Sequence, residues 1–153
     1  MTNKPEYIII HHSATKDGVN PDWEAIRKYH IEVNGWQDIG YHLGLEEIHG
    51  KLFLKHGRKL WDIGAHAQGF NERSIGICLV GNYDQSILSI AKKEFLAKIV
   101  SLLLDVYDIP VSRVLGHWET YVLRGLPIAK SCPGNNIKMD ELREYLNSRQ
   151  YTG

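Results

Sequence analysis

The chain has 153 residues, enough for one ordinary domain with a core of two or three layers. Apolar residues at 43% and charged residues at 24% match ordinary globular usage, which excludes disordered, collagen-like and coiled-coil classes. Eighteen Lys plus Arg balance eighteen Asp plus Glu, so no overall positive field exists to hold a nucleic-acid backbone or an anionic membrane. Lys98 and Asp105 interrupt the most apolar segment, far short of the roughly 20 apolar residues that a bilayer span needs. The N-terminal apolar run, Tyr7 to Ile10, is too short for a signal-peptide core, so synthesis is expected to end in the cytoplasm. Cys78 and Cys132 stand in different contexts and make no disulfide framework. With no repeat or low-complexity tract, residues 1–153 read as a single domain.

In chain order, Tyr7 to His11 is a continuous β-branched run, the pattern of a strand covered on both faces. Asn20-Pro21 reads as a cap followed by a first-turn proline, opening a helix with Trp23, Ile26, His30 and Val33 at helical spacing, ended by Gly35. Gly40 to Lys55 alternates loosely about His49-Gly50, which predicts two antiparallel strands joined by a tight turn. Ser74 to Val80 is a second buried strand closed by Gly81-Asn82. Ser89 to Tyr107 carries Phe95, Leu96, Ile99, Leu102, Leu103 and Val106 at three- and four-residue spacing and predicts the longest helix. Arg113 to His117 reads as a short last strand, and Met139 to Gln150 as a closing helix with Leu142, Tyr145 and Leu146 inward. Alternating strands and helices with one hairpin give an α/β class with a mixed central sheet flanked by helices.

Eight histidines are the compositional anomaly, and His11, His42 and His117 all fall in or at the end of predicted strands, where α/β sheets place ligands. A hydrolytic zinc site needs three protein donors and a position for water. His11, His117 and Cys132 could supply them, but they lie far apart in sequence and only the fold could assemble them. The alternatives are buried core histidines, a buried small thiol, or a Cys132 thiolate nucleophile with Lys130 two residues away lowering its pKa. Cys78, inside an apolar strand, reads as a core thiol.

Five blocks carry a family resemblance: IIIHHSAT (Ile8 to Thr15), GWQDIGYHL (Gly35 to Leu43), GAHAQGFNERSIGICLVGNYD (Gly64 to Asp84), GHWE (Gly116 to Glu119) and AKSCPG (Ala129 to Gly134). In that order the chain resembles the zinc-dependent N-acetylmuramoyl-L-alanine amidases, nearest the small phage enzymes and the peptidoglycan recognition proteins. The resemblance implies one zinc ion on His11, His117 and Cys132, catalytic roles for Tyr41 and Lys130, and substrate contacts from His42, His66 and Asn71. His12 is not made a ligand. Two departures stand out. Cys78 and Cys132 occupy positions where the cytosolic recycling amidases carry a glutamate and an aspartate, and the segment Thr120 to Ala129 is longer than in the short phage enzymes.

The implied reaction is hydrolysis of the amide between the lactyl group of N-acetylmuramic acid and L-alanine of the stem peptide, in a zinc site set in a surface cleft. Peptidoglycan is then the partner, with no nucleic acid and no membrane, and the protein is expected to be a monomer. A phage or prophage endolysin, acting on the wall after release from the cytoplasm, is the expected context. The other readings are a host enzyme of wall turnover and a peptidoglycan-binding module without turnover. In chemical terms, zinc can acidify a bound water to a pKa of about 7. The Lys130 ammonium can stabilise a developing oxyanion, and the neutral Tyr41 hydroxyl can donate a hydrogen bond.

Overall fold

The structure, a computed structural model, describes residues 1–15 and 22–150. The predicted helix start at Asn20-Pro21 lies outside the described residues. Strand β1 (Tyr7–His12) is followed by α1 (Asp22–Glu32), whose first two amides, of Asp22 and Trp23, donate to Glu46 Oε2 at 2.6 and 2.9 Å. The acceptor that satisfies this helix start therefore comes from the next strand. Strands β2 (Leu43–Ile48) and β3 (Lys51–His56) form the predicted hairpin. His49 (φ 49°) and Gly50 (φ 79°) both take the left-handed conformation that a two-residue turn requires. Strand β4 (Ser74–Leu79) follows after the long loop from residue 57 to 73.

Helix α2 (Ile90–Tyr107) starts where Ser89 Oγ accepts the Lys92 amide at 3.2 Å and ends at Asp108, in the left-handed conformation. Its buried stripe includes Leu96, Ala97, Val100, Leu103 and Leu104. Leu102 and Val106, which share the apolar spacing, are 63% and 65% exposed. At 100° per residue these two point away from the stripe centred on Leu96, Val100 and Leu103, so the apolar spacing extends beyond the buried face. The predicted last strand is shorter than expected. A 3₁₀ turn leads into β5 (Val114–Gly116), and His117 already opens α3 (His117–Leu123), a helix the sequence did not predict. Helix α4 (Met139–Gln150) lies where it was expected, with Leu142 and Leu146 buried.

Among the described residues, five strands run in the order β3-β2-β4-β1-β5, with β1 parallel to β4 and β5, β2 parallel to β4, and only the hairpin antiparallel. This is the mixed α/β sheet expected. Side chains alternate across it. Ile8, Ile10, Ile75, Ile77 and Leu79 pack with the buried stripes of α2 and α4 in the main core. On the opposite face Ile9 packs with Ala67, Phe70 and Leu115, while Trp23, Ile39, Cys78 and Val80 form a further cluster. The register pairs Tyr7 with Ser74, Ile9 with Gly76 and His11 with Cys78. On this second face β4 therefore shows only Ser74, Gly76 and Cys78, and these small residues leave room above the sheet for aromatic and imidazole rings. No helix among the described residues is long and apolar enough to cross a membrane.

Candidate metal centre

Three segments converge at the C-terminal ends of the parallel strands β1 and β5. His11 is next to last in β1, and His117 is the first residue of α3 directly after β5. Cys132 sits on the loop before α4, whose carbonyl accepts the Trp118 amide at 2.9 Å. One potential ligand atom from each of these three residues lies within 4.8 Å of the others, and all three residues are buried. His11 Nδ1 stands 3.7 Å from Cys132 Sγ, which also accepts the His12 amide at 3.4 Å.

The cysteine loop is held from the β4–α2 connection. Asp84 accepts from Ser131 Oγ and from the Asn135 amide, both at 2.8 Å, and these bonds keep its carboxyl below the usual range. Gly134 (φ +114°) lies so close to Tyr83 that a Cβ there would stand 2.5 Å from the Tyr83 carbonyl carbon. The start of α3 is held from the other side. Glu119 Oε1 accepts the Gly116 amide at 2.9 Å, and the carboxylate pairs with Arg143 of α4 at 2.7 and 3.0 Å.

The electrostatics suit a cation. Burial, aided by neighbouring histidines, holds His11 well below 6.5, and burial lowers His117 to about 4, so both imidazoles are neutral and able to donate a lone pair. Burial pushes the Cys132 thiol up to about 12, more than offsetting the effect of Lys130. A neutral imidazole beside a neutral thiol is not the ion pair that a cysteine nucleophile needs. The same thiol becomes a ligand once a cation displaces its proton. Two neutral imidazoles and one sulfur are a donor set that fits zinc.

The centre opens into a cleft of about 630 Å³ lined also by Tyr41, His66 and Lys130. The Tyr41 ring lies 5.0 Å from the His11 ring, and burial raises its hydroxyl well above 10, so it stays protonated at neutral pH. Lys130 is exposed at the rim, two residues before Cys132. His66 is at the cleft, but both ring nitrogens are engaged by protein groups, Nδ1 at 2.8 Å from His11 and Nε2 at 3.1 Å from Ser74.

Two expected substrate contacts are not part of the cleft lining. His42 is 0% exposed, with Nδ1 accepting the Gly76 amide at 3.0 Å and Nε2 bonded to the Asp62 carbonyl at 2.8 Å. It ties β2 to β4 and to the long loop, leaving no surface for a ligand. Asn71 Oδ1 accepts the His66 and Ala67 amides at 2.8 and 2.9 Å and so shapes the loop that carries His66. Sequence reading missed Ser74, Asp84, Glu119 and Arg143. Only Glu119 carried a visible signal, its place three residues after the glycine that caps α3.

The family model for N-acetylmuramoyl-L-alanine amidase matches residues 1–135. The endolysin of Escherichia phage T7 is 34% identical over 136 residues, covering 86% of this chain and 82% of the phage protein. Peptidoglycan-recognition protein SC2 of Drosophila melanogaster is 32% identical over 152 residues, covering 96% of this chain and 77% of that protein. Among solved structures, N-acetylmuramoyl-L-alanine amidase LysC from Clostridium intestinale URNW superposes with a TM-score of 0.74 at 26% identity, covering 95% of this chain and 87% of that one. With sequence blocks, sheet order and site geometry in agreement, the chain belongs to the N-acetylmuramoyl-L-alanine amidase family.

Proposed function

We propose that the protein is a zinc amidase that cuts the bond between the lactyl group of N-acetylmuramic acid and L-alanine of the peptidoglycan stem peptide, working as an endolysin on the cell wall. The observation that carries this reading is the convergence of His11, His117 and Cys132 within 4.8 Å at the floor of a cleft. These residues would hold zinc, which when bound supplies a Lewis acid for the amide carbonyl and acidifies water. His11 and His117 keep their lone pairs free because burial keeps them unprotonated.

Tyr41 and Lys130 act on the substrate. The Tyr41 hydroxyl, protonated throughout the neutral range, donates a hydrogen bond toward the carbonyl oxygen as charge develops on it. Lys130 supplies a positive charge from the cleft rim and can pass a proton to the departing L-alanine nitrogen. His66 contributes to the wall of the cleft rather than a free polar group, since both its ring nitrogens are bonded within the protein. A binding module without turnover would not need three buried donors on one point. A thiol hydrolase would need a Cys132 thiolate, which the buried thiol at about 12 does not provide.

The test is elemental analysis of purified protein together with chelation. We expect about one zinc per chain, loss of wall hydrolysis with a chelator and recovery with added zinc. Activity that survives complete chelation and is abolished by iodoacetamide would replace this reading with the thiol hydrolase.

A further inference from the structure

A histidine ligand is useful only if the nitrogen facing the metal carries no proton, and the partner of the other nitrogen decides that. In this protein that partner is a second imidazole, which could either donate to His11 or accept from it. The hydrogen bonds of Ser74 and Phe70 fix which of the two it does.

Ser74 Oγ lies 2.6 Å from the Phe70 carbonyl oxygen. A carbonyl has no proton to give, so the serine hydroxyl donates there, and its oxygen is left to accept. The atom 3.1 Å from Ser74 Oγ is His66 Nε2, which must then carry its ring proton. Its two bonded partners are Ser74 and His11 and neither is a carboxylate, so nothing favours the imidazolium; the ring is the neutral imidazole and its Nδ1 is an acceptor. That Nδ1 stands 2.8 Å from His11 Nε2, which must therefore be the donor. The remaining nitrogen, His11 Nδ1, is left with its lone pair, and it is the one 3.7 Å from Cys132 Sγ.

The arrangement is built into the fold. A Cβ on Gly76 would stand 2.6 Å from His66 Cγ and Nδ1, and one on Gly64 would stand 2.6 Å from His66 Cδ2. The ring thus occupies a slot that two missing side chains create. Ser74 is fixed in turn by Asn3, which is buried, accepts the Ser74 amide at 3.2 Å and donates to the Ser74 carbonyl at 2.8 Å. Asn71 Oδ1 anchors the backbone by accepting the consecutive amides of His66 and Ala67.

We propose that His66 is a positioning residue for His11: a relay from the Phe70 carbonyl through Ser74 and His66 holds the His11 proton on Nε2 and turns the Nδ1 lone pair toward Cys132 and the metal position. The ligand role of His11 rests on the zinc reading above, but the proton placement does not. His66 is thereby reassigned from a substrate contact to a support of the metal site, and Ser74 becomes its orienting partner.

The experiment uses the full chain with nitrogen-15 histidine. Long-range proton–nitrogen spectra of the metal-free protein at neutral pH report which nitrogen of each ring is protonated, and competition with a chromophoric chelator measures zinc affinity. We expect both His11 and His66 to carry the proton on Nε2. His66→Leu should lose about 10–100-fold in zinc affinity and mix the His11 tautomers, whereas His66→Asn, whose Oδ1 can replace the lost acceptor, should lose less than about tenfold. Ser74→Ala should raise the Nδ1-protonated fraction of His11. The proposal is overturned if wild-type His11 is protonated on Nδ1, if His66→Leu keeps full zinc affinity, or if the Leu and Asn variants lose affinity equally. Should His66→Leu fail to fold, the wild-type spectrum and the Asn and Ala variants still decide. If the wild type binds no zinc yet shows the expected tautomers, the zinc reading fails and the relay stands.

Discussion

Helix α3 begins at a proposed ligand, so what fixes its first turn can be perturbed without touching the cleft. In Glu119→Ala the chain loses two charge-assisted bonds to Arg143, at 2.7 and 3.0 Å, and the acceptor for the Gly116 amide at 2.9 Å. The pair is largely shielded, with 17% and 18% side-chain exposure, so it is not a freely solvated surface pair. Hydrogen bonds between charged groups of this kind contribute about 1.5–3 kcal/mol, and a helix cap about 1. Arg143 still keeps Asp140 at 2.8 Å and the Val114 carbonyl at 2.9 Å, which offsets part of the loss. The net cost is about 2–3 kcal/mol, or a fall in Tm of roughly 5–10 °C for a domain of this size. Thermal and urea unfolding with chelator present, so that metal linkage does not enter, should show it. In a double-mutant cycle with Arg143→Met, the coupling should be about 1–2 kcal/mol. A Glu119→Ala protein within about 0.5 kcal/mol of wild type would refute the reasoning, since that is the scatter of ordinary surface substitutions.

Lys130→Ala should keep its zinc and lose on the order of 10²-fold or more in turnover, measured on purified peptidoglycan, whereas Cys132→Ala should lose zinc, activity and stability together. Equal zinc loss in the two would make Lys130 a structural residue. Gly44→Ala places a Cβ 2.3 Å from the Trp23 ring, and should cost about 1–3 kcal/mol in urea unfolding with zinc affinity unchanged. The metal-free protein should lose stability as pH falls below 6.5. The folded-state pKa values of His11, His66 and His42 lie below that value, and that of His117 lies at about 4, so the unfolded chain binds the extra protons across this window. Each proton taken up adds a slope of about 1.4 kcal/mol per pH unit. Urea midpoints that stay flat between pH 6.5 and 5 would contradict the buried neutral histidines.

Much of this was legible in the sequence where a pattern had a local cause. The β-branched run at Ile8 to Ile10 is a strand buried on both faces because the sheet has a layer on each side. His49-Gly50 is a tight turn because both residues take left-handed φ. Helix α3 escaped notice because it is short, starts on a histidine and follows an apolar strand without a polar cap side chain. The buried face of α2 was not legible, because Leu102 and Val106 share the apolar spacing yet are exposed. The three donors were recognisable only through the ordered blocks, since a sheet rather than a local motif brings them together. His42 and His66 read alike as strand- or loop-borne histidines. Register separates them: one is sealed between backbone groups, and the other lies over Gly76 against His11. The alternation of small and large residues in Ser74 to Leu79 was visible, but its meaning depended on which ring would fill the space.

The central claim is that this chain cuts the bond joining glycan to peptide with a metal held by His11, His117 and Cys132. The most direct measurement is end-group analysis of purified peptidoglycan digested by zinc-loaded protein, with and without chelator, counting new L-alanine amino termini and new reducing sugar ends. A zinc amidase releases free L-alanine amino groups on intact stem peptides and no new reducing ends, and the chelator abolishes that release. New reducing ends, amino groups from any other residue, or undiminished L-alanine release in chelator would contradict the claim.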